Sequence, residues 1–84
     1  MRVNSAKELA VYLQDQRLTN KLSQNLVADL ASVRQATVSS FESKPENAKL
    51  ETLFKLLSAL DLELEVRRKG NRFSSEVNHE SLEW

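Results

Sequence analysis

The stretch Ser23 to Glu42, SQNLVADLASVRQATVSSFE, restricts the fold of this chain more than any other. Its apolar positions fall at Val27, Ala28 and Ala31, then at Val38 and Phe41, with Val33 between the two sets. That spacing predicts two short helices joined by a tight turn and sharing one small core. The remaining positions of the second helix are unusual. Gln35, Ala36, Thr37, Ser39 and Ser40 place amides, hydroxyls and a methyl group on its solvent side, with almost no charge. A merely soluble helix usually carries Lys and Glu there. A helix that enters a DNA major groove needs short donors and acceptors and few carboxylates.

Composition narrows the alternatives. Eighty-four residues allow one domain, and at this size only about 60 % of the unfolded chain's surface is buried on folding, so dimerisation is a common remedy for marginal stability. There is no cysteine, which removes disulfides, thiol nucleophiles and thiolate zinc sites and suits a reducing cytosol. With a single histidine, His79, a single glycine, Gly70, and no paired metal-ligand spacing, neither enzyme chemistry nor a phosphate-cradling loop is indicated. No cofactor or metal is expected. No long apolar run or cleavable signal directs the chain to a membrane. The formal net charge is zero, but residues 1–44 hold six Lys or Arg against four acids and residues 45–84 hold six against eight. The positive excess lies on the half with the two-helix stretch.

Taken in order, Ser5 and Glu8 have the spacing of a reciprocal capping box, so a first helix is expected to start near Ala6, to bury Ala6, Leu9, Ala10 and Leu13, and to end between Arg17 and Asn20. Ser23 is the expected cap of the next helix, and Ser32, three residues before Gln35, is a candidate cap for the one after. Leu26 and Leu30 lie four apart on one helix face, and two readings are open: an extension of the core toward Leu22 or the first helix, or an apolar docking patch for a partner. Pro45 predicts a turn over Ser43 to Asn47, with Asn47 as the cap of a fourth helix built on Leu50, Leu53, Phe54, Leu57 and Leu60, with Leu56 in addition.

From Leu62 to Arg67 the pattern changes to strict alternation, which predicts a strand with one buried face. A helix extension with accidental alternation is the other reading. No second strand-like run exists, so the same strand of a second copy is the nearest partner. Arg67, Arg68 and Lys69 form a basic cluster, either a solvated face or a contact to phosphate or a partner. The polar stretch from Asn71 to Trp84 has no periodic core and reads as a loosely attached tail whose single tryptophan is either solvated or an interface anchor.

The central stretch resembles the helix-turn-helix of the phage-repressor, or Xre and Cro/C1, type. Gln24 opens the first helix, Val27, Ala28 and Ala31 bury it, Val33 fills the turn, and Thr37-Val38-Ser39 with Phe41-Glu42 follow in the recognition helix, without insertions. One departure is Ser32, where the family usually has Gly. A non-glycine residue at positive φ costs about 1 kcal/mol, so the turn is either mildly strained or closed differently. Over residues 5–68 the order QATVSSFE, KPEN, LETLFKLLSAL and LDLELEV, with a closing Leu82-Glu83-Trp84, is similar to the HipB-type antitoxins.

The resemblance implies a mainly α fold of four to five helices plus one C-terminal β-strand pairing across a dimer, with residues 1–70 as the DNA-binding and dimerisation domain and 71–84 as a tail. It implies binding to a palindromic operator upstream of the protein's own operon and to a HipA-type Ser/Thr kinase toxin, in the cytoplasm at the nucleoid. Carried onto this sequence, the DNA-binding residues are Gln24, Arg34, Gln35, Ala36, Thr37, Ser39 and Ser40. Leu60, Leu62, Leu64 and Val66 are expected at the dimer contact, and Leu26, Leu30 and Trp84 at the partner contact. A phage-type repressor without a toxin partner is the alternative.

Overall fold

A computed structural model of the chain describes residues 2–70. Among these, four α-helices form in the order α1 (Ala6–Thr19), α2 (Gln24–Ala31), α3 (Gln35–Ser43) and α4 (Leu50–Ala59), with a 3-10 turn at Pro45–Asn47 between the last two. Helix α2 lies against both α3 and α4, and α1 against α3, while the 3-10 turn sits on α1 and α3. One core runs through the whole set, made of Ala10 and Leu13 from α1, Val27, Ala28 and Ala31 from α2, Val38 and Phe41 from α3, and Leu53, Leu56 and Leu57 from α4, closed by Leu60. The apolar positions that defined the two-helix stretch are all buried there, and Val33 packs partly against them.

The helix starts follow the side chains available to cap them. Ser5 Oγ accepts from the Glu8 N–H at 3.0 Å, while the Glu8 carboxylate accepts from the Asn4 N–H at 2.7 Å, one residue earlier than the reciprocal box requires. Ser23 Oγ caps α2 through the Leu26 N–H at 3.0 Å. Two expected caps are not used. Ser32 does not cap α3, because Arg34 is the residue at that helix's N-cap and it makes no side-chain cap bond. Asn47 does not cap α4, because the 3-10 turn carries the chain on to Lys49 before the helix begins, again without a side-chain cap.

Two stripes also differ from the pattern in the sequence. Ala6 is exposed, and α1 buries Arg17 at the position one turn beyond Leu13. On α4 the buried stripe is Leu53, Leu56, Leu57 and Leu60, whereas Leu50 and Phe54 face outward. Leucine and phenylalanine repeat around most of this helix, so periodicity alone leaves the buried arc undetermined. The position of α2 selects it.

Three helices end by one device. Lys21, Ser32 and Asp61 take left-handed conformations with φ of 59°, 59° and 62°. After α1, Leu22 N–H donates to Arg17 O at 3.0 Å and Lys21 N–H to Leu18 O at 3.0 Å. After α2, Val33 N–H donates to Ala28 O at 3.0 Å and Ser32 N–H to Asp29 O at 3.3 Å. After α4, Leu62 N–H donates to Leu57 O at 2.8 Å and Asp61 N–H to Ser58 O at 3.1 Å. This paired bonding satisfies carbonyls that a helix end leaves free, and the residue after each left-handed position, Leu22, Val33 or Leu62, packs against the core. The unfavourable φ at Ser32 is therefore held by two backbone bonds and an apolar anchor. Ser32→Gly is expected to raise stability by roughly 0.5–1 kcal/mol by removing the left-handed strain, measured as the shift in urea midpoint. No gain would mean that the turn is unstrained.

The third of these ends decides the reading of the alternating segment. With Asp61 left-handed and Leu62 bonded back to Leu57, α4 stops, so the segment is not a helix extension. From Leu62 to Lys69 the chain forms no strand with other described residues, for want of a second extended segment to pair with. Leu62 is half-buried on the core, while Leu64 and Val66 are exposed. Leu60, expected at the dimer contact, belongs to the protomer's own core, because the end of α4 turns it inward. No helix among the described residues is long and apolar enough to cross a membrane. His79 and Trp84 lie outside the described residues.

Candidate nucleic-acid interface

Helix α3 presents Gln35, Ala36 and Ser40 to solvent and holds Thr37 and Ser39 half-buried, because Val38 and Phe41 turn the opposite side into the core. Beside it runs an open groove. Arg34, Ala36, Thr37 and Ser40 line one wall, and Lys44 and Lys49, from the connection to α4, line the other; none of the lining residues is acidic. The groove thus combines three cations, the hydroxyls of Thr37, Ser40 and Thr52 and the methyl groups of Ala36 and Ala48 beside the first turn of an α3 that has no side-chain cap. Uncapped first-turn N–H groups and adjacent cations favour an anion such as a phosphate oxygen.

The expected DNA-binding set divides in two. Arg34, Ala36, Thr37 and Ser40 share this groove. Gln24 and Gln35 lie apart from it and are joined to each other, Gln35 Nε2 donating to Gln24 Oε1 at 2.6 Å. Ser39 lines no part of the groove, and its backbone oxygen accepts from Ser43 Oγ at 3.0 Å. Lys44 and Lys49 are not among the expected DNA-binding residues, although Lys44 opens the KPEN loop after the recognition helix and Lys49 lies just beyond it.

Beneath this surface lies an ion pair that the sequence did not reveal. Arg17 Nε donates to Glu42 Oε2 at 2.7 Å and Nη2 to Glu42 Oε1 at 3.1 Å, while Nη1 donates to the Leu22 carbonyl at 2.8 Å. The two side chains are only 10 % and 8 % exposed. Glu42 Oε1 also accepts from Gln14 Nε2 at 3.2 Å and from Gln24 Nε2 at 2.9 Å. Glu42, near the end of α3, is therefore tied to α1 through Arg17 and Gln14 and to α2 through Gln24. This side-chain lattice fixes the recognition helix against its two neighbours.

A helix-turn-helix family matches residues 13–66. The antitoxin HipB of Escherichia coli strain K12 is 31% identical over 83 residues, which span 99% of this chain and 94% of the relative. The chain belongs to the HipB-type antitoxin family. Solved structures agree: a HipA-HipB-O2-O3 complex and a HipB-O4 20mer complex each contain a chain that superposes with a TM-score of 0.81 at 31% identity, covering 83% of this chain and 99% of theirs.

Within this HipB-type fold, the exposed apolar residues include Leu26 and Leu30 of α2. Leu26 and Leu30 project from α2 away from the core, so the reading that they extend the core toward Leu22 or α1 does not hold. Helix α2 already buries Val27, Ala28 and Ala31 against α3 and α4, which leaves the leucine pair on its outer face. Among the described residues Arg67, in the basic cluster, pairs with the nearby Glu65 at 2.9 Å, an exposed contact of little energetic consequence.

Proposed function

We propose that this chain is the antitoxin and transcriptional autorepressor of a toxin-antitoxin operon, a non-enzymatic cytoplasmic protein that binds palindromic operator DNA as a homodimer and also binds a HipA-type Ser/Thr kinase toxin. The observation that carries the reading is the coincidence of near full-length HipB similarity with an acid-free cationic groove beside α3. In operation, α3 enters the major groove. Gln35 at its first turn meets a base edge, Ala36 meets a thymine methyl, and Thr37, Ser39 and Ser40 supply hydroxyls to base or phosphate. Arg34, Lys44 and Lys49 neutralise the flanking phosphates, and Gln24 holds Gln35 in place from the supporting helix.

Dimerisation is assigned to the extended segment within a domain spanning residues 1–70. Leu64 and Val66 alternate along it and are exposed, Val66 by 87 %. Pairing with the same segment of a second copy would satisfy the backbone and cover both side chains. The two recognition helices of such a dimer would lie about 34 Å apart, in successive major grooves. Leu64→Pro, which removes a ladder N–H, is expected to convert dimer to monomer in sedimentation. A dimer that persists would discredit the ribbon. The Leu26 and Leu30 face, together with Trp84, is assigned to the kinase.

Two experiments test the reading. Gln35→Ala is expected to weaken binding to DNA from upstream of the protein's own gene by about 1–3 kcal/mol and to relax preference at one base pair per half-site, with thermal unfolding unchanged. Undiminished binding would remove Gln35 from the reading set. A pulldown from native extract, with and without DNase, is expected to retain a HipA-like kinase after DNase treatment. Recovery of DNA with no kinase would favour a repressor without a toxin partner.

A further inference from the structure

We infer that Glu42, which does not face the DNA surface, determines which base Gln35 reads, by fixing the direction of the hydrogen-bond relay Glu42–Gln24–Gln35. The inference rests on the DNA-binding reading proposed above and concerns its specificity. A carboxylate is acceptor-only, whereas a glutamine amide carries a donor end and an acceptor end. The Arg17 guanidinium holds the Glu42 carboxylate in a fixed orientation, with Nε on Oε2 at 2.7 Å and Nη2 on Oε1 at 3.1 Å. Every neighbour of Oε1 must therefore turn a donor toward it, and Gln14 Nε2, Arg17 Nη2 and Gln24 Nε2 all do so.

With Gln24 Nε2 committed to Glu42, Gln24 Oε1 points the other way, and it can bond only to a donor. Gln35 supplies that donor through Nε2 at 2.6 Å. The free edge of Gln35 then carries Oε1 and one remaining N–H. In the major groove an acceptor beside a donor complements the N6 amino group and N7 of adenine. If the relay ran the other way, Gln35 would turn its oxygen toward Gln24 and aim both N–H groups outward, the complement of N7 and O6 of guanine. An isolated glutamine at this position is ambivalent between the two purines. The buried carboxylate removes the ambivalence from two residues away, so Glu42 is a positioning residue for base choice.

The test uses the full chain and a randomised duplex library. Selection by the wild-type protein defines its site, and loss of preference in Gln35→Ala marks the base pair that Gln35 reads. Adenine is expected there, preferred over guanine by about tenfold or more in symmetric duplexes. Glu42→Gln keeps size and one of the two acceptors for Arg17 but lets the relay run in either direction, and the preference is expected to fall within about threefold. Gln24→Met cuts the relay while leaving the Arg17–Glu42 pair intact, and it should lose the same preference at the same base pair. If Glu42→Gln fails to fold, Gln24→Met decides alone. A merely structural role for Glu42 would lower affinity equally for all four base variants, and that result overturns the inference. So does an unchanged adenine preference in folded variants, or a wild-type preference for guanine. Enrichment of no site by the wild-type protein overturns the DNA-binding reading itself and the inference with it.

Discussion

Replacing Arg17 by methionine is expected to destabilise the fold by about 3–5 kcal/mol, because it leaves the Glu42 carboxylate buried without its cation. A small domain has roughly 5–15 kcal/mol in total, so the variant should be largely unfolded at physiological temperature, with a melting temperature lowered by about 15 °C or more. The size of the effect follows from burial. Arg17 and Glu42 are 10 % and 8 % exposed and joined at 2.7 Å, whereas a surface pair such as Arg67 and Glu65 contributes about 0–1 kcal/mol. The expected loss reflects an uncompensated buried charge more than the net worth of the pair. The double variant Arg17→Met, Glu42→Leu should therefore recover most of it, since two apolar groups of similar volume leave no stranded charge. Circular-dichroism melts of the single and double variants check both statements. A single variant that loses under about 1 kcal/mol, or a double variant no better than the single, would show that the pair does not lock α1 to α3.

Removing both groove lysines is expected to have the largest effect on DNA binding. Each cation seated on a phosphate contributes about 0.9 to the slope of log K against log salt, so Lys44→Ala with Lys49→Ala should lower that slope by about 3 to 4 in a dimer. The loss in affinity should be near uniform across operator variants, since phosphate contacts position the protein without reading bases. It should also be greatest at low salt, where counterion release contributes most. Fluorescence anisotropy over a salt series, on the selected site and on an unrelated duplex, measures both quantities. An unchanged slope would mean that DNA does not cross the groove between α3 and the start of α4. Gln35→Ala is the complement, altering preference and leaving the slope alone.

The two variants differ in how far the sequence anticipated their sites. Gln35 belongs to a stretch whose apolar spacing, polar outer face and helix boundaries are local properties. Val27, Ala28, Ala31, Val38 and Phe41 at helical spacing can bury one core in only one arrangement, and the Ser23 cap requires only the three residues after it. Lys44 and Lys49 carry no such signal. They become groove residues only because the 3-10 turn at Pro45–Asn47 brings the start of α4 alongside α3.

The sequence by itself determined the helix-turn-helix, the outward face of α3 and the family to which the chain belongs, because each depends on residues close along the chain. Only the tertiary structure decided the rest. Arg17 reads as an ordinary cation at the end of an amphipathic helix until α3 delivers Glu42 to it, 25 positions away in the chain. The apolar residues of α4 fill most of its circumference, so the choice of Leu53, Leu56 and Leu57 over Leu50 and Phe54 falls to its neighbour α2. Ser32, Lys21 and Asp61 hold left-handed conformations that local preference opposes, because the residue after each is anchored in a core assembled from all four helices. Properties carried by near neighbours are written in the chain; those that need two distant side chains to meet exist only once the chain has folded.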